Sequence, residues 1–304
     1  MCRHLAYLGP PASLRSLLID PPHSLYRQAW APRLQRHGTV NADGFGVGWY
    51  ADRDPVPARY RRGVPIWGDQ SLSDIARVTR SGAVLAAVRS ATAGTAAGEQ
   101  AAAPFGDGCW LFSHNGVLEG WPAAAAAVAS ALPQPSAATV LLSLEAMVDS
   151  AFLWSLVLAR LQAGSPMDAA LADAIAAVEA AGRTGRFNFL LTDGHSIAAT
   201  ACGDTLWYRQ ANAGMSERTA GIAGEPALTT GSPAGAMPDL VPADGVVTAK
   251  SVTVTSEPSD DEPGWIEVPD RHLLTATPRE VVVQPLAAGA STPVHQHPPT
   301  VAAG

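Results

Sequence analysis

The sequence predicts a layered α+β fold, and three observations carry that prediction. Short apolar runs rich in β-branched and aromatic residues recur on either side of residue 130. Two longer helix-like stretches lie between them. The order is strands, then helices, then strands again, which suits segregated layers better than a regular βαβ alternation. At 304 residues the chain is long enough to bury a sizeable core.

Taken in order, strand signals appear at Phe45–Tyr50, Ala83–Ser90 and Cys109–Ser113. The first helical region, Thr139–Leu161, is interrupted near Asp149; the second, Met167–Ala181, follows Ser165-Pro166, a start signal. Strand signals return at Phe187–Thr192 and Ser196–Cys202. From Gln210 to Pro242 the composition shifts to Gly, Ala, Pro, Ser and Thr, which predicts a long loop or flexible insertion, placed at about 210–245. Strand signal resumes at Val246–Thr255 and Glu280–Pro285. The expected division is one unit over residues 2–286 and a disordered tail over 287–304, whose His295 and His297 read as part of that tail rather than as metal ligands.

Composition excludes several function classes. A net charge of -7 and the absence of a basic stripe argue against nucleic acid as a partner. Cys2, Cys109 and Cys202 are too few and too scattered for a disulfide framework or a metal knuckle, and no metal or cofactor is expected. Cys109 and Cys202 read as small buried apolar residues. Thr139–Leu161 contains Glu145 and Asp149, each costing roughly 2.5–3.5 kcal/mol near a bilayer centre, so a buried helical region is expected instead of a membrane span. No apolar leader precedes Cys2. A cytoplasmic protein is the expectation.

Cys2 carries the chemistry. Removal of Met1 puts a thiol and a free α-amino group on one residue. The amine has a reference pKa of roughly 7.7–8.0 against about 8.5 for the thiol, so it can accept the thiol proton and return it to a leaving amine.

Four further segments accompany it: Asn41–Tyr50 (NADGFGVGWY), Arg89–Thr95 (RSATAGT), Ser113–Gly116 (SHNG) and the pair Asp149-Ser150. Together and in this order they resemble the class II glutamine amidotransferases, the N-terminal-nucleophile glutaminase domains. The resemblance covers roughly residues 2–205 and resumes near Ser256. It implies a four-layer αββα sandwich of two antiparallel sheets. It also implies an oxyanion hole formed by the Asn115 side chain and the Gly116 N–H. Asn-Gly after a strand also reads as a plain hairpin turn.

A glutamyl group presents an α-carboxylate, for which the planar fork of Arg89 is suited, and an α-ammonium, which Asp149 would receive. Arg89 equally reads as a surface arginine at a strand end. Asp149 equally reads as a helix N-cap, a role that leaves one carboxylate oxygen free. Asn41 and Asp43 are placed beside the site. His114 adjoins the oxyanion pair, although strand alternation points its side chain to the opposite face, where a structural histidine is the reading.

A narrower resemblance rests on Met1–Leu8 (MCRHLAYL), Leu18–Pro22 (LIDPP), Ile66–Asp69 (IWGD) and Ser256–Leu273 (SEPSDDEPGWIEVPDRHL). These runs are similar to the γ-glutamyl-conjugate hydrolases of ergothioneine biosynthesis, which release glutamate and hercynylcysteine sulfoxide from γ-glutamyl-hercynylcysteine sulfoxide. The trimethylammonium and imidazole of such a substrate call for aromatic faces and acids. The candidates are Trp67, Asp69, Trp265, Glu257, Asp270 and Arg271, which equally read as a loop cluster near the surface. After residue 205 only two or three strands are expected, too little for an ammonia-consuming second domain. The expected function is therefore a small-molecule γ-glutamyl amide hydrolase. The alternative is a stand-alone glutaminase that supplies ammonia to a separate synthase.

Overall fold

A computed structural model describes residues 2–91, 94–132, 140–142, 144–212 and 250–286. Its strands fall into two antiparallel sheets. The first holds β1 (Arg3–Ser13), β2 (Phe45–Trp49), β3 (Ala58–Arg62), β4 (Arg80–Val88), β9 (Trp207–Asn212), β10 (Lys250–Thr255) and β11 (Ile266–Glu267). The second holds β5 (Phe105–Asp107), β6 (Trp110–Leu118), β7 (Gly185–Thr192), β8 (Ile197–Ala201), β12 (His272–Ala276) and β13 (Val281–Pro285). Spatial order is β11-β9-β10-β1-β4-β2-β3 in the first and β13-β12-β8-β7-β6-β5 in the second.

Period-2 alternation explains the layering. On β1, Ala6 and Leu8 face the second sheet and pack with Leu111, Leu190, Val252, Val254 and Leu274. Leu5 and Tyr7 face outward, against Leu14 and Leu18 of α1 (Leu14–Leu18), Leu25 of α2 (Leu25–Gln28), and Leu72 and Ala76 of α3 (Leu72–Val78). On the second sheet, Phe112, Phe189 and Leu191 face α4 (Ala123–Ala131), α5 (Asp149–Gln162) and α6 (Met167–Ala180). α5 presents Phe152, Leu153, Leu156 and Val157, and α6 presents Leu171, Ile175 and Val178. These i, i+3, i+4 spacings put each apolar stripe on the sheet. Phe112 stacks on Trp154 at 5.3 Å between centroids. The result is the expected αββα sandwich.

Several boundaries differ from the sequence reading. β1 is absent from it because Arg3, His4, Gly9, Pro10 and Pro11 mask the pattern. The strand forms because it lies between β4 and β10, and the register shifts between Leu8 and Ala12, where the prolines cannot donate to the ladder. The strand predicted from Cys109 starts at Trp110 and continues through Asn115 and Gly116, so those two are mid-strand and not a hairpin turn. The first helical region is non-helical over 144–148 and becomes α5 at Asp149. Gln210–Asn212 belong to β9 rather than to a loop. Among the described residues five strands follow residue 205, not two or three, because β9, β11 and β12 are short segments whose pairing comes from neighbours distant in sequence. The rest of the predicted insertion, the tail with His295 and His297, and Thr92 and Ala93 of the RSATAGT run lie outside the described residues.

The glycines of β2 set how closely the sheets approach. A Cβ on Gly48 would meet Leu111 Cδ1 at 2.6 Å, and one on Gly46 would strike the Ala103 carbonyl oxygen. Gly48→Ala is expected to destabilise by about 1–3 kcal/mol through overpacking, lowering the thermal midpoint by several degrees. An unchanged midpoint in a thermal melt would show that the sheets part freely at that position.

Candidate active site

Cys2 sits partly exposed at the head of β1. It shares a cleft with Val88 and Arg89 at the end of β4, Phe105 of β5, His114 of β6 and Ser150 of α5. Both sheets and one outer helix of the second therefore contribute to one concavity. β1 holds its position by pairing Arg3 with Val88 on one side and Leu5 with Thr255 on the other.

Beneath Cys2 the inner layer is polar. His4 N–H donates to Ser256 Oγ at 3.0 Å, its carbonyl accepts from Ser256 N–H at 3.0 Å and Thr255 Oγ1 at 3.1 Å, and its Nδ1 lies 3.2 Å from Ser113 Oγ. Asn115, fully buried, places Nδ2 at 3.4 Å from the same Ser256 Oγ, while its Oδ1 has no partner among the described residues. Gly116 pairs with Phe187 across the ladder, and any Cβ there would collide with the Arg186 carbonyl oxygen, so glycine is required.

Strand alternation separates His114 from Asn115. His114 Nδ1 is 3.0 Å from Ser150 Oγ on the helical side, and its Nε2 is 2.9 Å from the Arg186 carbonyl.

Arg89 is buried and held by its surroundings. Its Nη2 donates to Thr95 Oγ1 at 3.0 Å and to the Ala96 carbonyl at 2.8 Å. Asp43 N–H donates to the Arg89 carbonyl, and Asp43 Oδ2 accepts from Ala91 N–H at 2.7 Å, so Asp43 braces the turn that carries the guanidinium. Ala96 N–H in turn donates to the Met147 carbonyl, tying the Arg89 loop to the segment that leads into Asp149.

Asp149 is the first helical residue and Val148 the cap, which corrects the N-cap reading. Neither carboxylate oxygen is free: Oδ2 accepts from Leu118 N–H at 3.0 Å and Oδ1 from Ser150 N–H at 2.9 Å. Each keeps a lone pair for a further donor.

Of the predicted site residues, Cys2, Arg89 and His114 line the cleft; Asn115, Gly116, Asp43 and Asp149 lie behind that lining, and the other candidates are engaged elsewhere. Asn41 is buried in the 28–41 loop, with Nδ2 donating to the Gln28 carbonyl and to Gln35 Oε1. Trp67 is 39% exposed and packs edge-on against Trp30. Asp69 accepts from Tyr60 Oη and from the N–H groups of Ser71 and Leu72. Trp265 lies under Arg209 and donates to Asp260. Glu257 accepts from Arg33 and Leu34 N–H. Asp270 accepts from Gly203 N–H, and Arg271 pairs with Glu179 of α6 at 2.8 Å. Cys202 is buried, but Cys109 is only half-buried, because it occupies the β5–β6 turn instead of the strand.

The sequence reading passed over Arg3 and His4. Arg3 is fully buried, and all three guanidinium nitrogens lack a hydrogen-bond partner among the described residues. Burial pushes its pKa down, opposed by the charges of Glu257, Asp204 and Cys2. Burial also holds His4 well below the ordinary histidine range, reinforced by His114 and Arg3. His114 is likewise lowered by burial, with Asp149 opposing. Position next to the nucleophile was the available signal.

Residues 25–217 match the family model of the class-II glutamine amidotransferases. The chain is 40% identical over 286 residues to the gamma-glutamyl-hercynylcysteine sulfoxide hydrolase of Mycolicibacterium smegmatis, covering 94% of this chain and 100% of that protein. Among solved structures it is similar to a glutamine aminotransferase class-II domain protein from Silicibacter pomeroyi, with a TM-score of 0.57 at 21% identity over 93% of this chain and 99% of that one. It is also similar to glutamine phosphoribosylpyrophosphate amidotransferase from B. subtilis, with a TM-score of 0.54 at 12% identity over 94% of this chain and 49% of that one. The two solved structures bear on the fold.

The buried histidines imply a pH dependence. His4 titrates near 6.5 when unfolded and well below that when folded, so the unfolded chain binds more protons in between. The stability from a neutral His4 is fully present above about pH 6.5 and is lost as pH falls toward the folded value. Unfolding of the parent and of His4→Asn in urea between pH 5 and 6.5 is expected to give a shallower slope of stability against pH in the variant. Equal slopes would mean that His4 is not held neutral.

Proposed function

This chain belongs to the class-II glutamine amidotransferase family, and on that footing we propose that it hydrolyses the γ-glutamyl amide of γ-glutamyl-hercynylcysteine sulfoxide to glutamate and hercynylcysteine sulfoxide, a step of ergothioneine biosynthesis. The observation that carries this reading is the 40% identity to a relative of that name, spread over 94% of this chain and the whole of the relative. The same reading treats residues 2–286 as one amidotransferase domain acting in the cytoplasm on a small molecule.

In the proposed mechanism Met1 is removed and the α-amine of Cys2 takes the thiol proton. The sulfur attacks the γ-carbonyl carbon, and negative charge moves to the carbonyl oxygen, where the Asn115 amide and Gly116 N–H receive it. The intermediate collapses to a thioester as the C–N bond breaks, and the leaving nitrogen takes the proton held by the α-ammonium of Cys2. Water then attacks the thioester under the same base and releases glutamate. Arg89 binds the α-carboxylate and Asp149 the α-ammonium. Support for Arg89 comes from its burial at the cleft wall with the 95–96 backbone orienting its fork. Support for Asp149 comes from its neighbour Ser150 on the same wall and from the Ala96–Met147 hydrogen bond that ties the two anchors together.

A panel of γ-glutamyl-hercynylcysteine sulfoxide and glutamine, with glutamate release as the readout, tests the substrate. Rapid cleavage of the conjugate and slow turnover of glutamine are expected; the reverse preference would assign the chain as a glutaminase. Cys2→Ala is expected to abolish turnover with binding largely retained. Arg89→Ala is expected to weaken binding by about 30-fold or more, the cost of truncating one partner of a buried charge pair. An intact-mass measurement that finds Met1 retained on fully active protein would remove the α-amine from the mechanism.

A further inference from the structure

We propose that Ser256 is a positioning residue that orients the Asn115 amide so that its nitrogen, and not its oxygen, is presented to the developing oxyanion. This rests on the reading of Asn115 as an oxyanion donor and deepens it.

Ser256 follows β10 and is fully buried. It is clamped on three sides: its N–H donates to the His4 carbonyl at 3.0 Å, its carbonyl accepts from Thr205 Oγ1 at 2.8 Å, and its Oγ accepts from His4 N–H at 3.0 Å. The hydroxyl is thus fixed to the backbone of the nucleophile strand, two residues from Cys2. Asn115 Nδ2 approaches the same oxygen at 3.4 Å.

In that orientation two groups are unsatisfied. Asn115 Oδ1 is buried without a partner among the described residues, and the Ser256 hydroxyl hydrogen has no acceptor among them. A serine hydroxyl donates once and accepts twice, and the two ends of an asparagine amide occupy nearly the same space. A half-turn of the amide therefore joins the two unsatisfied groups. The Ser256 O–H then donates to Asn115 Oδ1, and both hydrogens on Nδ2 are released for another acceptor. The flipped orientation satisfies Oδ1 and the hydroxyl hydrogen and leaves open only the two Nδ2 hydrogens, the donors that an oxyanion would take; of the two orientations it leaves fewer buried groups unpaired without substrate. Ser256 touches neither substrate nor reacting atoms; it acts through Asn115.

A double-mutant cycle tests this. The parent, Ser256→Ala, Asn115→Ala and the double variant are assayed for kcat and KM on γ-glutamyl-hercynylcysteine sulfoxide, or on glutamine if the parent prefers it. Asn115→Ala is expected to lower kcat by about 100-fold, the usual cost of an oxyanion donor. Ser256→Ala is expected to lower kcat by about tenfold with KM within about twofold, because the amide loses its preferred orientation. In the Asn115→Ala background the loss from Ser256→Ala is expected to vanish. Losses that multiply in the double variant, or an effect on KM alone, would overturn the proposal. Ser256→Cys, close in shape with a much weaker donor, gives the same reading should the alanine variant fail to fold. A parent inert toward both amides would withdraw the hydrolase reading and this inference with it. An active parent with multiplicative losses withdraws the inference alone.

Discussion

The structure depends on holding the head of β1 still. A chain end normally frays, because its few contacts do not repay the entropy of ordering it. Here β1 is an inner strand, paired with β4 on one side and β10 on the other. Its backbone at His4 is also gripped by Thr255 and Ser256. Cys2 stands one residue ahead of the Arg3–Val88 pair and three ahead of the Leu5–Thr255 pair, so the strand that carries it is anchored on both edges. That rigidity lets a sulfur at the strand head share a fixed cleft with Arg89, His114 and Ser150, each supplied by a different element.

The layer beneath the cleft is polar where a sandwich core is ordinarily apolar. His4, Ser113, Asn115, Thr205, Ser256 and Glu257 are buried together with Arg3. Burying such groups is costly unless they bond one another, and most of them do. Burial also keeps both imidazoles below their ordinary range, so the interior carries fewer charges than its composition suggests. Arg3 is the exception: a buried guanidinium beside the nucleophile, balanced electrostatically by Glu257 and Asp204 rather than by direct hydrogen bonds among the described residues.

The comparisons divide in the same way as the geometry. Structures at 21% and 12% identity share the fold over nearly all of this chain. The runs that suggested a narrower substrate, around Trp67, Trp265 and Asp270, are engaged away from the cleft wall. Asp69 braces a turn, Trp265 covers Arg209, and Arg271 fastens a loop to α6. The half of the site that meets the leaving group is thus not described by those residues as they stand.

What the sequence determined by itself was the family and the local periodicity. The order of the motifs, the α+β class, α6 and the strands β2, β4, β7 and β8 were legible, because each is set by residue type or by short-range spacing. It was also enough to separate His114 from Asn115, since adjacent strand residues face opposite sides. Only the tertiary structure decided that Arg3–Ser13 is an inner strand, that Asn115-Gly116 continues a strand instead of turning, and that Asp149 enters a helix with both oxygens occupied. It alone brought Ser256 to Asn115 across 141 residues. The reason is physical: pairing partners and buried hydrogen bonds are contacts between distant segments, and a strand with prolines and charges acquires its stability from neighbours that its own pattern does not encode.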